Sequence, residues 1–378
     1  MRVLIDGQVL MGNKTGIGFY CHNLIRGLYQ LDGSHEFITV YNKFKPRKQK
    51  YVIGEERYIR YPYSYLREIM KGRFLYSIPL ERFMGDFDIY HGTNYSILPT
   101  KRAKTVLTVC DLVFKKYPET VAVRNLRFLS YFVEKYTICA TKLITISEST
   151  KKDVVDFFGI DPDKIHVTPL AADKFFRVIS PEDSYFAEVR AKYQLPDRFI
   201  LYVGTLEPRK NLQRLISAFA KTFKRTGCEH KLVLAGGNGW MYDGIFKLVQ
   251  ELGLEDKVIF TGYVDACDLP HLYNLADAFA YVSLYEGFGL PPLEAMQCGI
   301  PVLASNVSSI PEVVGEAAIL INPLDTEAIA DGLEQLLSDT SLYANLKAKG
   351  LERAATFQWR QTAQQTLDCY LAAINADR

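Results

Sequence analysis

The sequence has no apolar run approaching the roughly 18 to 20 residues that a membrane span needs, which argues against an integral membrane helix. Its first residues, MRVLIDGQVL, lack the charged leader, long apolar stretch and small-residue cleavage site of a secretory signal, so the expected location is cytoplasmic. Cysteine is sparse: seven thiols, at 21, 110, 139, 228, 267, 298 and 369, are scattered, odd in number and free of C-x-x-C spacing. That argues against a disulfide frame or a zinc site and for reduced thiols. No His/Cys/Glu cluster suggests another metal. Long repeats and low-complexity segments are missing, and so is a strong net charge, which is +2.

The near-neutral balance hides an asymmetry. Residues 1–170 hold 26 Lys+Arg against 17 Asp+Glu, a surplus of +9, and the remainder carries −7. A basic N-terminal half suits an anionic membrane surface or a phosphorylated acceptor, and equally a solvated surface. Nucleic acid is a poor partner, because no binding motif is present and the other half is acidic.

At 378 residues the chain is too long for one core of usual size, so two domains are expected. Apolar runs alternate with helical patterns, which implies parallel sheets with crossover helices. Strands are expected at 2–7, 37–42, 87–92, 105–110, 142–147 and 165–170, and helices at 17–31, 65–83, 121–140 and 147–158, the last capped by Ser147. Periodicity is lost over 170–184, which reads as a linker. A second series follows, with strands at 199–204, 231–237, 257–264, 278–283, 301–306 and 317–322. Its helices are expected at 211–225, 243–253, 268–276, 291–298, 325–338, 340–355 and 358–374.

Between 285 and 296 the chain reads YEGFGLPPLEAM. The run AFAYVSLY before it suits a buried strand, the Gly-Phe-Gly makes a turn, and Pro-Pro marks a helix start, where a free N–H is not needed. Glu286 falls on the turn and Glu294 in the first turn of the helix. A helix N-terminus favours phosphate, and carboxylates accept hydrogen bonds from sugar hydroxyls. Together these suggest a site for a sugar nucleotide.

This segment resembles the E-x7-E signature of retaining glycosyltransferase family 4, whose members have the GT-B fold. TGIGFY (15–20), GTLEPRKNL (204–212) and the run from FTGYVDACDLPHLYNLADAF to PVLASNVSSIPEVVG (260–315) match the same family, in the same order. The resemblance implies an α/β protein with two Rossmann-like domains facing each other across a cleft. It divides the chain into an acceptor-side domain (1–175), a nucleotide-sugar domain (176–357) and a C-terminal helix (358–378) that packs back on the first domain.

The family pattern assigns roles residue by residue. Arg209 and Lys210, after the strand FILYVG, would stabilise the charge growing on a leaving nucleoside diphosphate, with no metal required. Relatives carry Arg shortly after the glycine at Gly204; here that place is Thr205. Glu286 would touch the donor sugar and Glu294 the nucleotide ribose. The N–H groups of Phe288, Gly289 and Leu290 would face the sugar and phosphates. Gly16 and Gly18 resemble the family's glycine loop, although Phe19 replaces a frequent Arg, and a plain helix-start turn is the other reading. Val264 lies in the loop whose main chain holds the base in relatives.

TVCDLVF (108–114) matches a stretch where relatives have His-Asp, and Cys110 takes the His position. Asp111 remains as an acceptor- or sugar-facing residue, with an Asx-turn as the alternative. His91, at another strand end, reads equally as structural. Asp161-Pro162-Asp163 mimics a metal-binding D-x-D but sits in a turn shaped by Pro. The basic, aromatic segment 115–136 is one that relatives lay on the inner membrane leaflet; a core-facing helix with a wet basic face is the competing reading.

The resemblance therefore implies a metal-independent transfer of a hexose, with retention, from a nucleotide-diphosphate sugar of the UDP-glucose or GDP-mannose type. The acceptor would be a saccharide or a lipid-linked molecule in bacterial polysaccharide biosynthesis, with no cofactor beyond the donor and with peripheral membrane contact. The alternatives are a non-catalytic sugar-nucleotide sensor or scaffold and a GT-B-type epimerase. Cys110 argues for the sensor, and the intact Arg209, Glu286 and Glu294 argue against it.

Overall fold

The computed structural model describes residues 1–11, 16–31, 33–42, 54–61 and 78–376. The chain divides into two compact units, one formed by residues 1–115, 123–170 and 358–378, the other by 116–122 and 171–357.

The first unit is built on β1 (Arg2–Asp6), β2 (Glu36–Asn42), β3 (Glu55–Ile59), β4 (Ile89–Gly92), β5 (Lys104–Val109), β6 (Lys142–Thr145) and β7 (Ile165–Val167). They form one parallel sheet in the order β3-β2-β1-β4-β5-β6-β7. The central strands are mostly apolar and buried except at their charged ends, as suits strands covered on both faces. β3, EERYI, is a largely exposed edge strand whose charged residues give no buried-strand signal. The helix Glu148–Phe158 begins where Ser147 accepts from the Thr150 amide at 3.0 Å. Most of the segment expected as a helix over 65–83 lies outside the described residues; Glu81–Met84 is a single helical turn.

The C-terminal helix, Trp359–Asn375, belongs to this unit. Its Tyr370 hydroxyl lies 2.7 Å from His91 Nδ1, and the Thr362 hydroxyl donates to the Pro169 carbonyl at 2.6 Å. His91 Nε2 lies 2.8 Å from Thr108 Oγ1, which in turn meets the Tyr20 hydroxyl at 2.9 Å. All four side chains are buried, and burial lowers the His91 pKa to about 3, so the ring is neutral. His91 is a structural histidine tying the helix to the sheet.

The second unit contains β8 (Phe199–Val203), β9 (Lys231–Ala235), β10 (Val258–Gly262), β11 (Ala278–Tyr281), β12 (Val302–Ser305) and β13 (Ala318–Ile321). They pair in parallel in the order β10-β9-β8-β11-β12-β13. Two helices here were not anticipated. Tyr185–Lys192 buries only Val189 and so shows little periodicity. Ile310–Val314 is short and carries Pro at its start. Among the described residues no helix is long and apolar enough to cross a membrane.

Candidate active site

Strand order in the second unit reverses between β8 and β11. Open parallel sheets bind ligands beyond the strands' carboxyl ends at such a reversal, where the two outgoing loops diverge. Here those loops carry the residues singled out above.

β8 ends at Val203, Gly204 comes next, and a short helical turn, Pro208–Lys210, follows. Asn211 ends that turn at φ 60°, and its side-chain amide donates to the carbonyls of Val282 (3.0 Å) and Pro323 (2.7 Å). The Leu284 amide donates to the Arg209 carbonyl at 2.9 Å. These bonds clamp the turn against the loops leaving β11 and β13.

Within the clamp, Lys210 Nζ lies 2.6 Å from Glu286 Oε1 and 2.8 Å from the Tyr281 hydroxyl. Arg209 NH1 lies 2.7 Å from Glu286 Oε2 and donates to the Tyr285 carbonyl at 2.8 Å. Arg209 NH2 donates to Glu207 Oε1 at 2.5 Å. Glu207, Lys210 and Glu286 are all buried. Burial by itself would raise the Glu286 carboxyl, but Arg209 and Lys210 outweigh it and hold its pKa at about 2. Burial and the neighbouring Arg209 pull Lys210 downward, and Glu286 offsets part of that.

The Glu286 loop is fixed from its other side. Its amide donates to Ser308 Oγ at 3.0 Å, and the Ser309 hydroxyl donates to the carbonyls of Glu286 (2.9 Å) and Phe288 (2.6 Å). Gly289 then takes φ 121°, a conformation that side chains resist, and a Cβ there would lie 2.7 Å from Ile310. The helix Leu290–Gln297 starts at once, with prolines where first-turn N–H groups have no carbonyl partner. Phe288 and Gly289 immediately precede this helix, and Leu290 is its first residue.

Glu294 lies one residue further into the helix than the sequence suggested, just past its first turn, because the helix begins at Leu290. Its Oε2 accepts from the buried Tyr273 hydroxyl at 2.9 Å. Burial raises its pKa to about 7, Asp173 adds to the rise, and the Tyr273 bond opposes it. Val264 is buried in the loop following β10.

The structure thus brings Arg209, Lys210 and Glu286 into direct contact, next to the 288–290 turn. Gly204, Val264 and Glu294 stand on other segments of the same unit, whereas Gly16, Gly18 and Asp111 belong to the first unit. Gly16 is not in a loop; it is the first residue of the helix Gly16–Tyr29, with Gly18 buried in its first turn. Asp111 Oδ1 accepts from the Val113 amide at 3.1 Å, the Asx-type alternative. Cys110 is buried, which pushes its thiol pKa upward. Asp161 accepts from the Asp163 amide at 2.9 Å and starts the turn Pro162–Lys164, as expected of a structural pair.

Sequence reasoning missed Glu207, Tyr273, Tyr281, Ser308 and Ser309. Ser308-Ser309 ahead of Ile310-Pro311 was a readable helix-start signal, but no spacing rule connects it to Glu286.

A family model described as "Glycosyl transferases group 1" matches residues 186–353, and one described as "Glycosyltransferase Family 4" matches 14–174. The chain is 37% identical to O-antigen chain mannosyltransferase B of Escherichia coli, over 75% of this chain and 74% of that protein. It is 33% identical to the serotype-specific mannosyltransferase WbdA of Escherichia coli, over 76% of this chain but 36% of that longer protein. Among solved structures, sucrose-phosphate synthase from Thermosynechococcus elongatus superposes with a TM-score of 0.76 at 21% identity, covering 100% of both chains. HepE of Anabaena, in complex with UDP and glucose, gives 0.74 at 20% identity over 97% of this chain and 98% of its own.

Proposed function

The chain belongs to glycosyltransferase family 4, with its GT-B fold, and from that premise we propose that it transfers mannose from GDP-mannose to a saccharide hydroxyl in bacterial polysaccharide assembly. That it is a glycosyltransferase follows from the family; the donor, the acceptor and the stereochemistry belong to this proposal. The mannosyltransferase relatives favour mannose over glucose.

The observation that carries the reading is the Arg209–Lys210 couple held against Glu286 at a strand-order reversal. Breaking the bond between a sugar and a diphosphate places negative charge on the departing phosphate. Two fixed cations beside a helix start stabilise that charge without reorganising during the step. Glu286 is ionised at neutral pH and therefore only accepts hydrogen bonds. The carboxylate already accepts from Arg209 and Lys210, and in this reading a hydroxyl of the donor sugar joins that set, so Glu286 orients the donor. Glu294 accepts from the nucleotide ribose.

Retention by double displacement requires a nucleophilic carboxylate beneath the anomeric carbon. No residue singled out here is assigned that role, so the proposed route is front-face departure. The C1–O bond to the diphosphate breaks through an oxocarbenium-like state. The acceptor hydroxyl forms the new C1–O bond on the same face and gives its proton to the leaving diphosphate. The positive charge of Arg209 and Lys210 takes the place of a divalent cation in this scheme.

A thermal-shift comparison of GDP-, UDP- and dTDP-sugars tests the donor assignment, since a ligand that binds only the native state raises the melting point. GDP-mannose should give the largest rise and should be consumed, in the presence of EDTA, with a lipid or saccharide acceptor extract. A rise confined to UDP- or dTDP-sugars contradicts the mannose assignment, and binding without turnover contradicts transfer.

A further inference from the structure

Glu207 has no part in the scheme above, yet it is a carboxylate with only 3% of its surface exposed. Burying an acid is costly unless a partner compensates. The compensating partner is Arg209, whose NH2 lies 2.5 Å from Glu207 Oε1 while its NH1 engages Glu286 and the Tyr285 carbonyl. The guanidinium is therefore held from two sides by two carboxylates.

The surroundings leave Glu207 little room to move. It precedes Pro208 in extended backbone and starts the turn that bears both cations, its carbonyl accepting from the Lys210 amide at 3.1 Å. The loop after β9 fixes the residue before Glu207: the Leu206 amide donates to the Gly237 carbonyl at 3.0 Å, and the Leu206 carbonyl accepts from the Gly239 amide at 3.0 Å. Lys210 and Tyr202 both sense the Glu207 charge.

The charges count simply. Arg209 and Lys210 supply two positive charges. Glu286 alone would leave one in excess, and Glu207 brings the cluster to zero. A site built only to grip a diphosphate as tightly as it can would leave out the second acid. An enzyme that must align a cation and then release a nucleoside diphosphate benefits from it, since tight binding of ground state and product alike does not speed turnover.

We propose that Glu207 is a positioning residue that locks the Arg209 guanidinium in place and, by cancelling the surplus positive charge, weakens the grip on the departing nucleoside diphosphate. The inference rests on the nucleotide-sugar reading above.

The test is calorimetric titration of GDP and UDP into the wild type, Glu207→Gln and Glu207→Asp, with turnover measured on the sugar nucleotide that the wild type uses. Glu207→Gln keeps the shape and an acceptor but removes the charge. It should bind the diphosphate roughly tenfold more tightly, the order expected for one unit charge several ångströms away in a partly buried site. A side chain that merely packed the turn would weaken binding when altered, so equal or weaker binding in a folded Glu207→Gln overturns the charge balance. Glu207→Asp restores the charge but shortens the reach. It should bind within about twofold of the wild type while kcat falls about tenfold through misalignment. An unchanged kcat in Glu207→Asp overturns the positioning role, whether or not the Gln variant folds. A wild type that binds neither GDP nor UDP overturns the nucleotide-sugar reading and this inference with it; failure of the variants alone leaves that reading standing.

Discussion

Lys210 Nζ lies 2.6 Å from Glu286 Oε1, and both side chains are buried although they come from loops 76 positions apart in sequence. The pair joins the two loops that leave the sheet at its strand-order reversal. It therefore bears on stability as well as chemistry.

Stability should depend on Glu286 at acid pH. Its folded pKa is about 2 against an ordinary value of 4.5, so the folded state holds the proton less strongly than the unfolded chain. The resulting stabilisation is fully present above about pH 4.5 and is lost as pH falls towards 2. Linkage puts it on the order of 3 kcal/mol. Chemical denaturation from pH 6 down to pH 2 should show that loss, and Glu286→Gln should flatten it. An equally steep loss in the variant contradicts the assignment.

Donor binding should depend on Glu294 near neutrality. In the proposed donor complex the ribose hydroxyls would donate to its carboxylate form, and burial has raised its pKa to about 7. Nucleotide affinity should therefore strengthen as pH rises from 6 to 8, and Glu294→Gln should be weaker and flat over that range. Tyr273→Phe removes the bond that favours the carboxylate. It should shift the midpoint to higher pH, by up to about one unit. A pH-independent wild-type affinity contradicts this role.

The C-terminal helix should matter for stability and not for the donor. Tyr370→Phe leaves a nitrogen of the buried His91 without its partner, at a cost of about 1–3 kcal/mol. A lower melting temperature with unchanged affinity for the nucleotide is expected, and calorimetry checks both. An unaltered melting temperature contradicts the structural role of His91.

Much of the α/β architecture could be read from the sequence, because parallel strands covered on both faces appear as continuous apolar runs, as FILYV and KLVLA do. The edge strand Glu55–Ile59 escaped for the opposite reason, its residues being mostly exposed and charged. Arg209, Lys210 and Glu286 stood out because each follows a strand at a loop or helix start and also matches the family's motifs. Their mutual pairing did not, and neither did Glu207 or the serines at 308 and 309. A buried ion cluster is created by tertiary proximity, and no local spacing encodes it. Asp111 also follows a strand, and its Oδ1 accepts from the Val113 amide two residues on, the local bond that an Asp in such a place can make.

If Arg209 and Lys210 stabilise the departing diphosphate, single-turnover transfer in EDTA must depend on both side chains and on no divalent ion. With wild type, Arg209→Ala and Lys210→Ala compared on the same donor, the wild-type rate should be unaffected by EDTA. In each variant the chemical step should slow by roughly 10²- to 10³-fold, about 3 to 4 kcal/mol in barrier. A wild-type rate abolished by EDTA, or folded variants that transfer as fast as the wild type, would contradict it.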